Sequence, residues 1–299
     1  MKHLLKMADL SGEEIVKILD LADQMKYNKI HGIEHRLLEG KSLAMIFTKP
    51  STRTRVSFEV GIGQLGGRGL FLSGNDIQLG RGESIEDTAQ VLSRYVDGIM
   101  IRTFKQSDVE ELAKYAAVPV INGLTDYAHP CQVLADLMTV REYHSTLAGQ
   151  TAAFIGDGNN VCNSLIFGAL KCGMNIHVAT PKGYEPHSDA LAFAAGKILL
   201  TNDPREAVSG ADAVFTDVWT SMGQESETAE RVEIMRPFQL NAELMSLANP
   251  GAIVQHCLPA HKGEEITLDV FNAHAKEIYD EAENRLHVQK AVMALLMGG

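Results

Sequence analysis

Residues 51–55, Ser-Thr-Arg-Thr-Arg, put three hydroxyls and two guanidiniums within five positions. They follow an apolar run, 42–48, and open a stretch with Phe58, Ile62 and Leu65 at helical spacing. Free N–H groups at a helix start, helped by the helix dipole, attract anions. Hydroxyl and guanidinium donors there supply what a multiply charged phosphate needs. The plainer reading is an N-cap with solvated arginines, which does not account for so dense a donor set. Arg102 ends a second apolar run, 98–103. Taken alone it reads as a surface arginine, but its place at a strand's carboxyl end matches where open α/β sheets bind ligands. His129-Pro130-Cys131-Gln132 opens a long helical pattern. A histidine and an amide at a helix start can hold a carbonyl oxygen; the alternative is a structural histidine.

The second half of the chain carries a different set. Gly156-Asp157-Gly158 follows the apolar run 151–155, and Asn159-Asn160 at this turn suit a polar substrate end. A nicotinamide dinucleotide does not suit it. Val161 stands where the third glycine belongs, and the next strand ends in Ala179-Thr180 instead of an acid. Gly61–Gly66 also matches G-x-G-x-x-G, but late in a helix, not between strand and helix. Asp217 leaves the strand 213–217 and could hold an ammonium, while backbone N–H groups at Ser221 and Met222 could hold a carboxylate. His256-Cys257-Leu258-Pro259 closes the run 252–259. A strand cysteine is normally inert packing, but this one stands at a carboxyl end.

The elements that must position these residues alternate. Ser11 with Glu14 forms a capping box for a helix over 11–26. Strands are expected at 42–48, 69–73, 98–103 and 118–122, with a helical pattern after 49–55 that ends at Gly66-Gly67, helices at 84–95, 107–116 and 129–144, and a loop at 74–82. After the helix 129–144 the pattern restarts with strands at 151–158, 175–180, 213–217 and 252–259. The tail 283–296 is helical and apolar. Alternating strand and helix predicts α/β architecture. We expect two doubly wound domains with mostly parallel sheets, linked by long helices: residues 1–143, with the C-terminal helix 283–299 packed back on it, and residues 144–282.

Size and charge agree. The chain has 299 residues, enough for two domains, and a net charge of −11, which suits neither a nucleic-acid backbone nor an anionic membrane. Its four cysteines form no C-x-x-C pair, which argues against a zinc cage or disulfide framework and for a reducing compartment. With neither a signal-peptide pattern nor an 18-residue apolar run, a cytoplasmic location is expected.

The segments FTKPSTRTR, IRTF, HPCQ, FIGDGNN, DVWTSMG, HCLP and EAENR occur here in the order and spacing that resemble the ornithine carbamoyltransferases, over essentially the whole chain. STRTR and HPxQ are shared with the wider superfamily; DVWxSMG and HCLP single out the ornithine enzymes. The resemblance implies that Ser51, Thr52, Arg53 and Thr54 bind the phosphate of carbamoyl phosphate. Arg102 would bridge phosphate and carbonyl oxygens, and His129 and Gln132 would hold the carbamoyl group, with Pro130 and Cys131 alongside. Gln78 would reach carbamoyl phosphate across a subunit boundary. Cys257, Leu258 and Arg285 would line the reacting centre. Asn160, Asp217, Ser221 and Met222 would hold ornithine. The catalytic set is therefore Arg53, Arg102, His129, Gln132 and Cys257. The resemblance also implies a homotrimer or a multiple of trimers, and no metal or organic cofactor. Other acceptors in the superfamily, putrescine, N-acetylornithine and aspartate, stay open at this point. So do a catalytically silent binding subunit and, more remotely, a dehydrogenase.

Overall fold

The computed structural model describes residues 1–74, 76–78, 82–220 and 228–298, apart from the side chains of 228–230. The chain divides into two units, Met1–Ala135 with Asn284–Gly299, and Asp136–Glu283.

The first unit runs α1 (Gly12–Ile30), β1 (Ser42–Phe47), α2 (Thr52–Gln64), β2 (Arg68–Ser73), α3 (Ile85–Leu92), β3 (Gly98–Arg102), α4 (Gln106–Tyr115), β4 (Val120–Leu124) and α5 (Pro130–His144). Its four strands are parallel, in the order β2-β1-β3-β4. The order reverses direction between β1 and β3, so the loops after these two strands diverge and leave a crevice at their carboxyl ends. Central strands of a parallel sheet are covered on both faces, hence the unbroken apolar run Leu43–Phe47, all buried. The capping box predicted at Ser11 is present: its Oγ accepts from Glu14 N while Glu14 accepts from Ser11 N.

The second unit continues with β5 (Thr151–Ile155), α6 (Asn160–Lys171), β6 (Asn175–Ala179), α7 (Ser188–Ala194), β7 (Leu199–Thr201), α8 (Pro204–Val208), β8 (Ala213–Thr216), α9 (Thr228–Met235), α10 (Ala242–Met245), β9 (Ile253–Gln255), α11 (Leu268–Ala273) and α12 (Ala275–Met297). Five parallel strands lie in the order β7-β6-β5-β8-β9, with the reversal between β5 and β8. The unit boundaries fall inside α5 and α12. In the first unit, a Cβ on Gly61 would lie 3.1 Å from Met293 Cε and 3.3 Å from Lys290 Cγ, so this glycine lets α12 lie close on α2. The G-x-G-x-x-G match at 61–66 therefore begins with a packing glycine.

Several boundaries differ from expectation. Helix α1 runs on to Ile30, and α12 begins at Ala275, eight residues before the predicted start, with Ile278 buried in the second unit's core. The strand expected over 252–259 stops at Gln255, because Leu258 adopts a left-handed φ of 56° that no strand accepts. Strand β7 has only three residues and gave no sequence signal. Among the described residues, no helix is long and apolar enough to cross a membrane.

Candidate active site

Two clusters of functional side chains stand at the two sheet reversals, one in each unit. In the first, Ser51 caps α2, its Oγ accepting from Thr54 N at 3.1 Å. The hydroxyl of Thr54, which is fully buried, acts as a junction. Thr54 Oγ1 accepts from Arg285 Nη2 at 2.9 Å and from Arg102 Nη1 at 3.4 Å. Both arginines are more than nine-tenths buried, as are His129 and Gln132. Burial, then the charges of Arg285, Arg102 and Arg53, hold the His129 imidazolium well below the ordinary histidine range. His129 is thus a neutral imidazole at neutral pH, able to donate one N–H without adding charge. Four sequence-predicted residues, Arg53, Arg102, His129 and Arg285, therefore act on one spot.

Other expectations change. Arg55 does not join this cluster. It is exposed, bonded to Glu59 at 3.3 Å and stacked on the Phe71 ring at 3.7 Å, so one of the two STRTR guanidiniums serves the surface. Cys131 faces backbone: its thiol donates to Asn122 O at 3.5 Å, and burial pushes its pKa up to about 12. Pro130 is the first residue of α5 and Thr52 the first of α2, buried and exposed respectively. Gln78 is exposed within its own chain. Lys49, which sequence reasoning missed, is buried two residues before Ser51; it pairs with Asp126 and lies 4.4 Å from the Phe104 ring centre.

In the second unit Asp217 is the hub. Its carboxylate accepts from Asn159 Nδ2 at 2.6 Å, Val218 N at 2.8 Å and Cys257 Sγ at 3.0 Å. Burial, then the Asp217 charge and its hydrogen bond, push the Cys257 thiol well above its ordinary pKa. Cys257 is therefore a protonated donor, not a thiolate. Asn159 reaches Asp217, and its Oδ1 also caps α6 through Val161 N at 3.0 Å and Cys162 N at 3.2 Å. Asn160 is the first residue of α6 and half-buried. Ser221 and Met222 lie outside the described residues.

Two neighbours of this hub were not anticipated. Asp157 pairs with the buried Arg231, whose Nε donates to Trp219 O at 2.8 Å. Burial outweighs that arginine and raises Asp157 to about 6. Gly158 must be glycine for a local reason: a Cβ would lie 2.4 Å from Pro186 N and 2.6 Å from Tyr184 O. Close packing of the chain on itself thus accounts for a glycine that a dinucleotide motif would assign to pyrophosphate. Asp217, His256 and Cys257 bring ligating atoms within 4.8 Å of one another. However, His256 Nδ1 already accepts from Leu258 N at 2.9 Å, and its Nε2 bonds to Glu265 at 3.0 Å, so the ring has no lone pair for a metal.

Both halves of the chain match known proteins. Residues 2–142 match the family described as aspartate/ornithine carbamoyltransferase, carbamoyl-P binding domain, and residues 148–296 match its Asp/Orn binding domain. The chain is 58% identical to an ornithine carbamoyltransferase of Carboxydothermus hydrogenoformans, over 99% of this chain and 98% of the relative. It is 54% identical to the anabolic ornithine carbamoyltransferase of Pyrococcus furiosus, over 100% of this chain and 97% of the relative. The solved ornithine carbamoyltransferase structure from Pyrococcus furiosus superposes with a TM-score of 0.95 at 53% identity, covering 100% of this chain and 97% of that one. With both domains matched in order and a full-length relative at 58% identity, the chain belongs to the aspartate/ornithine carbamoyltransferase family.

Proposed function

We propose that the chain transfers the carbamoyl group of carbamoyl phosphate to the δ-amine of L-ornithine, giving L-citrulline and phosphate. The observation that carries this reading is the junction at Thr54, where Arg102 and Arg285 converge beside a neutral His129. The Pyrococcus furiosus relative is named anabolic, which supports a place in arginine biosynthesis. Four free thiols support a reducing, cytoplasmic setting. A panel of acceptors with carbamoyl phosphate tests the reading: ornithine should react, while putrescine, N-acetylornithine and aspartate should not. Turnover of another acceptor in preference to ornithine would overturn it.

The first unit binds carbamoyl phosphate and the second binds ornithine. Ser51, Thr52, Arg53 and Thr54 hold the phosphate, with Arg102 and Arg285. Cys131 and Pro130 support His129 and Gln132, which hold the carbamoyl group. Asp217, with Asn160, Ser221 and Met222, holds the α-amino and α-carboxylate groups. The neutral δ-amine attacks the carbamoyl carbon, a C–N bond forms, and a tetrahedral oxyanion develops. Arg102, His129 and Thr54 donate to it, and the C–O bond to phosphate then breaks, the departing phosphate taking the proton that the amine nitrogen loses. Cys257 and Leu258 line the reacting centre.

The pH dependence follows from which groups do not titrate. An amine of this kind has a pKa near ~10.4, so its neutral fraction rises tenfold per unit below that value. His129 is held well below, and Cys257 well above, the range between. The rate at subsaturating ornithine is therefore expected to rise close to tenfold per pH unit above pH 7, until the α-ammonium that Asp217 would hold begins to lose its proton. A plateau near pH 7 would contradict selection of the neutral amine. Cys257→Ser keeps a donor toward Asp217, so reduced but measurable activity is expected. Total loss, with a carbamoylated Cys257 trapped by mass spectrometry in the parent enzyme, would favour covalent catalysis.

We further infer a homotrimer or a multiple of trimers. Val56 and Val60 on α2 and Leu70 and Phe71 on the edge strand β2 are exposed apolar residues, on a sheet edge that isolated proteins normally keep short or charged. Exposed Gln78 follows the same strand and is available to a neighbouring subunit. Mixing inactive Gln78 and Arg53 variants should restore some activity; no recovery in mixed trimers counts against a shared site.

A further inference from the structure

The segment 256–258 carries two groups of the proposed reacting centre on a backbone that does not hold itself. Leu258 is a non-glycine residue with a φ of 56°, a conformation that costs free energy and persists only where the surroundings enforce it. What enforces it is a buried chain of hydrogen bonds. Leu258 N donates to His256 Nδ1 at 2.9 Å, so the ring proton sits on Nε2, which donates to Glu265 Oε1 at 3.0 Å. The same oxygen accepts from His261 N at 2.6 Å, on the far side of the turn. His256 N is held separately by Glu281 Oε2 at 2.7 Å. His256 and Glu265 side chains are fully inaccessible to solvent. Both nitrogens of His256 are committed, so it cannot relay a proton to Cys257; its work is to fix where Cys257 and Leu258 stand.

We propose that Glu265 is a positioning residue for the transfer reaction, acting through His256 to lock the Cys257–Leu258 backbone in the arrangement that presents the thiol to Asp217. The proposal rests on the carbamoyl-transfer reading above and adds to it a residue, nine positions from His256, that touches no substrate. The charge of Glu265 is not what the brace requires. It needs an acceptor oxygen that His256 Nε2–H and His261 N–H can share, and a glutamine oxygen can serve.

The test compares Glu265→Gln with Glu265→Ala. The Gln variant should keep kcat/KM for ornithine within about threefold, since the acceptor is retained. The Ala variant should lose roughly 10–100-fold, because His256 Nε2–H and His261 N–H are left buried without an acceptor. Carbamoyl phosphate affinity, measured by equilibrium binding, should be unchanged in both. A second readout is independent of turnover: iodoacetamide alkylation of Cys257, followed by mass spectrometry at fixed pH, should speed up several-fold in the Ala variant only. Equal loss in the two variants, or wild-type ornithine kinetics in the Ala variant, would overturn the proposal. If the Ala variant does not fold, His256→Asn replaces it: asparagine can still accept from Leu258 N but cannot reach Glu265, so the same kinetic loss and faster alkylation are expected. Wild-type behaviour there would be equally fatal. If the parent enzyme itself fails to carbamoylate ornithine, the functional reading falls, while the alkylation contrast still reports on the brace.

Discussion

Replacing Arg102 by alanine is expected to lower kcat/KM for carbamoyl phosphate by about 10³–10⁵. One donor to a developing oxyanion is worth roughly 10²–10³ in rate. A charge-assisted hydrogen bond to the phosphate adds roughly 1.5–3 kcal/mol. Arg285→Ala should be of similar size, because both guanidiniums converge on Thr54 Oγ1. Lysine should rescue little, since a point charge does not reproduce two planar donors. The loss should not come from unfolding. Arg285, Arg102 and Arg53 all push the His129 imidazolium down, so removing one relieves repulsion. The His129 pKa, followed by NMR, should therefore rise in each variant while the protein stays folded. Activity within tenfold of the parent, or an unmoved His129, would remove Arg102 from the site.

Asp217→Asn is expected to lower kcat/KM for ornithine by about 100-fold, with carbamoyl phosphate binding unchanged. The substitution keeps the shape of the side chain but removes the charge that an ammonium would meet. One arm of the junction, Asn159 Nδ2 at 2.6 Å, would then lack a charged acceptor. The thiol gives a second readout. After burial, the Asp217 charge is the largest cause of the raised Cys257 pKa. Neutralising it should bring that pKa down, seen as a shift of the Cys257 alkylation–pH profile to lower pH. A variant with unchanged ornithine kinetics and an unshifted profile would mean that Asp217 only holds the turn together.

Much of this was legible before any coordinates. The anion cluster could be read from Ser51–Arg55 because a cap, its helix and their donors are neighbours in sequence, and local geometry follows from local residue types. The alternation of apolar runs and helical patterns gave the parallel α/β class, because strands buried on both faces must read as unbroken apolar segments. The carboxyl-end positions of Arg102 and Asp217 followed from where their strands stop.

Tertiary structure decided which residues meet. Arg285 reaches Thr54 across 231 positions, a contact that depends on α12 lying against α2 at Gly61 and that spacing cannot express. Without that partner, EAENR gives a role for Arg285 only by resemblance. The two STRTR arginines look alike in sequence, yet Arg55 is diverted because Glu59, one turn on, and Phe71, on β2, offer it a surface site. Asn159 and Asn160 are equally good amide donors on paper; the turn into α6 points Asn159 at Asp217 and makes Asn160 the first helical residue. Glu265 gave no signal, since an acid in a polar stretch reads as solvated surface until folding buries it against His256. The sequence determined the kinds of chemistry and the local frames that carry them. Strand order and helix packing determined which long-range pairs exist, and through burial and charge they set the proton affinities of His129 and Cys257.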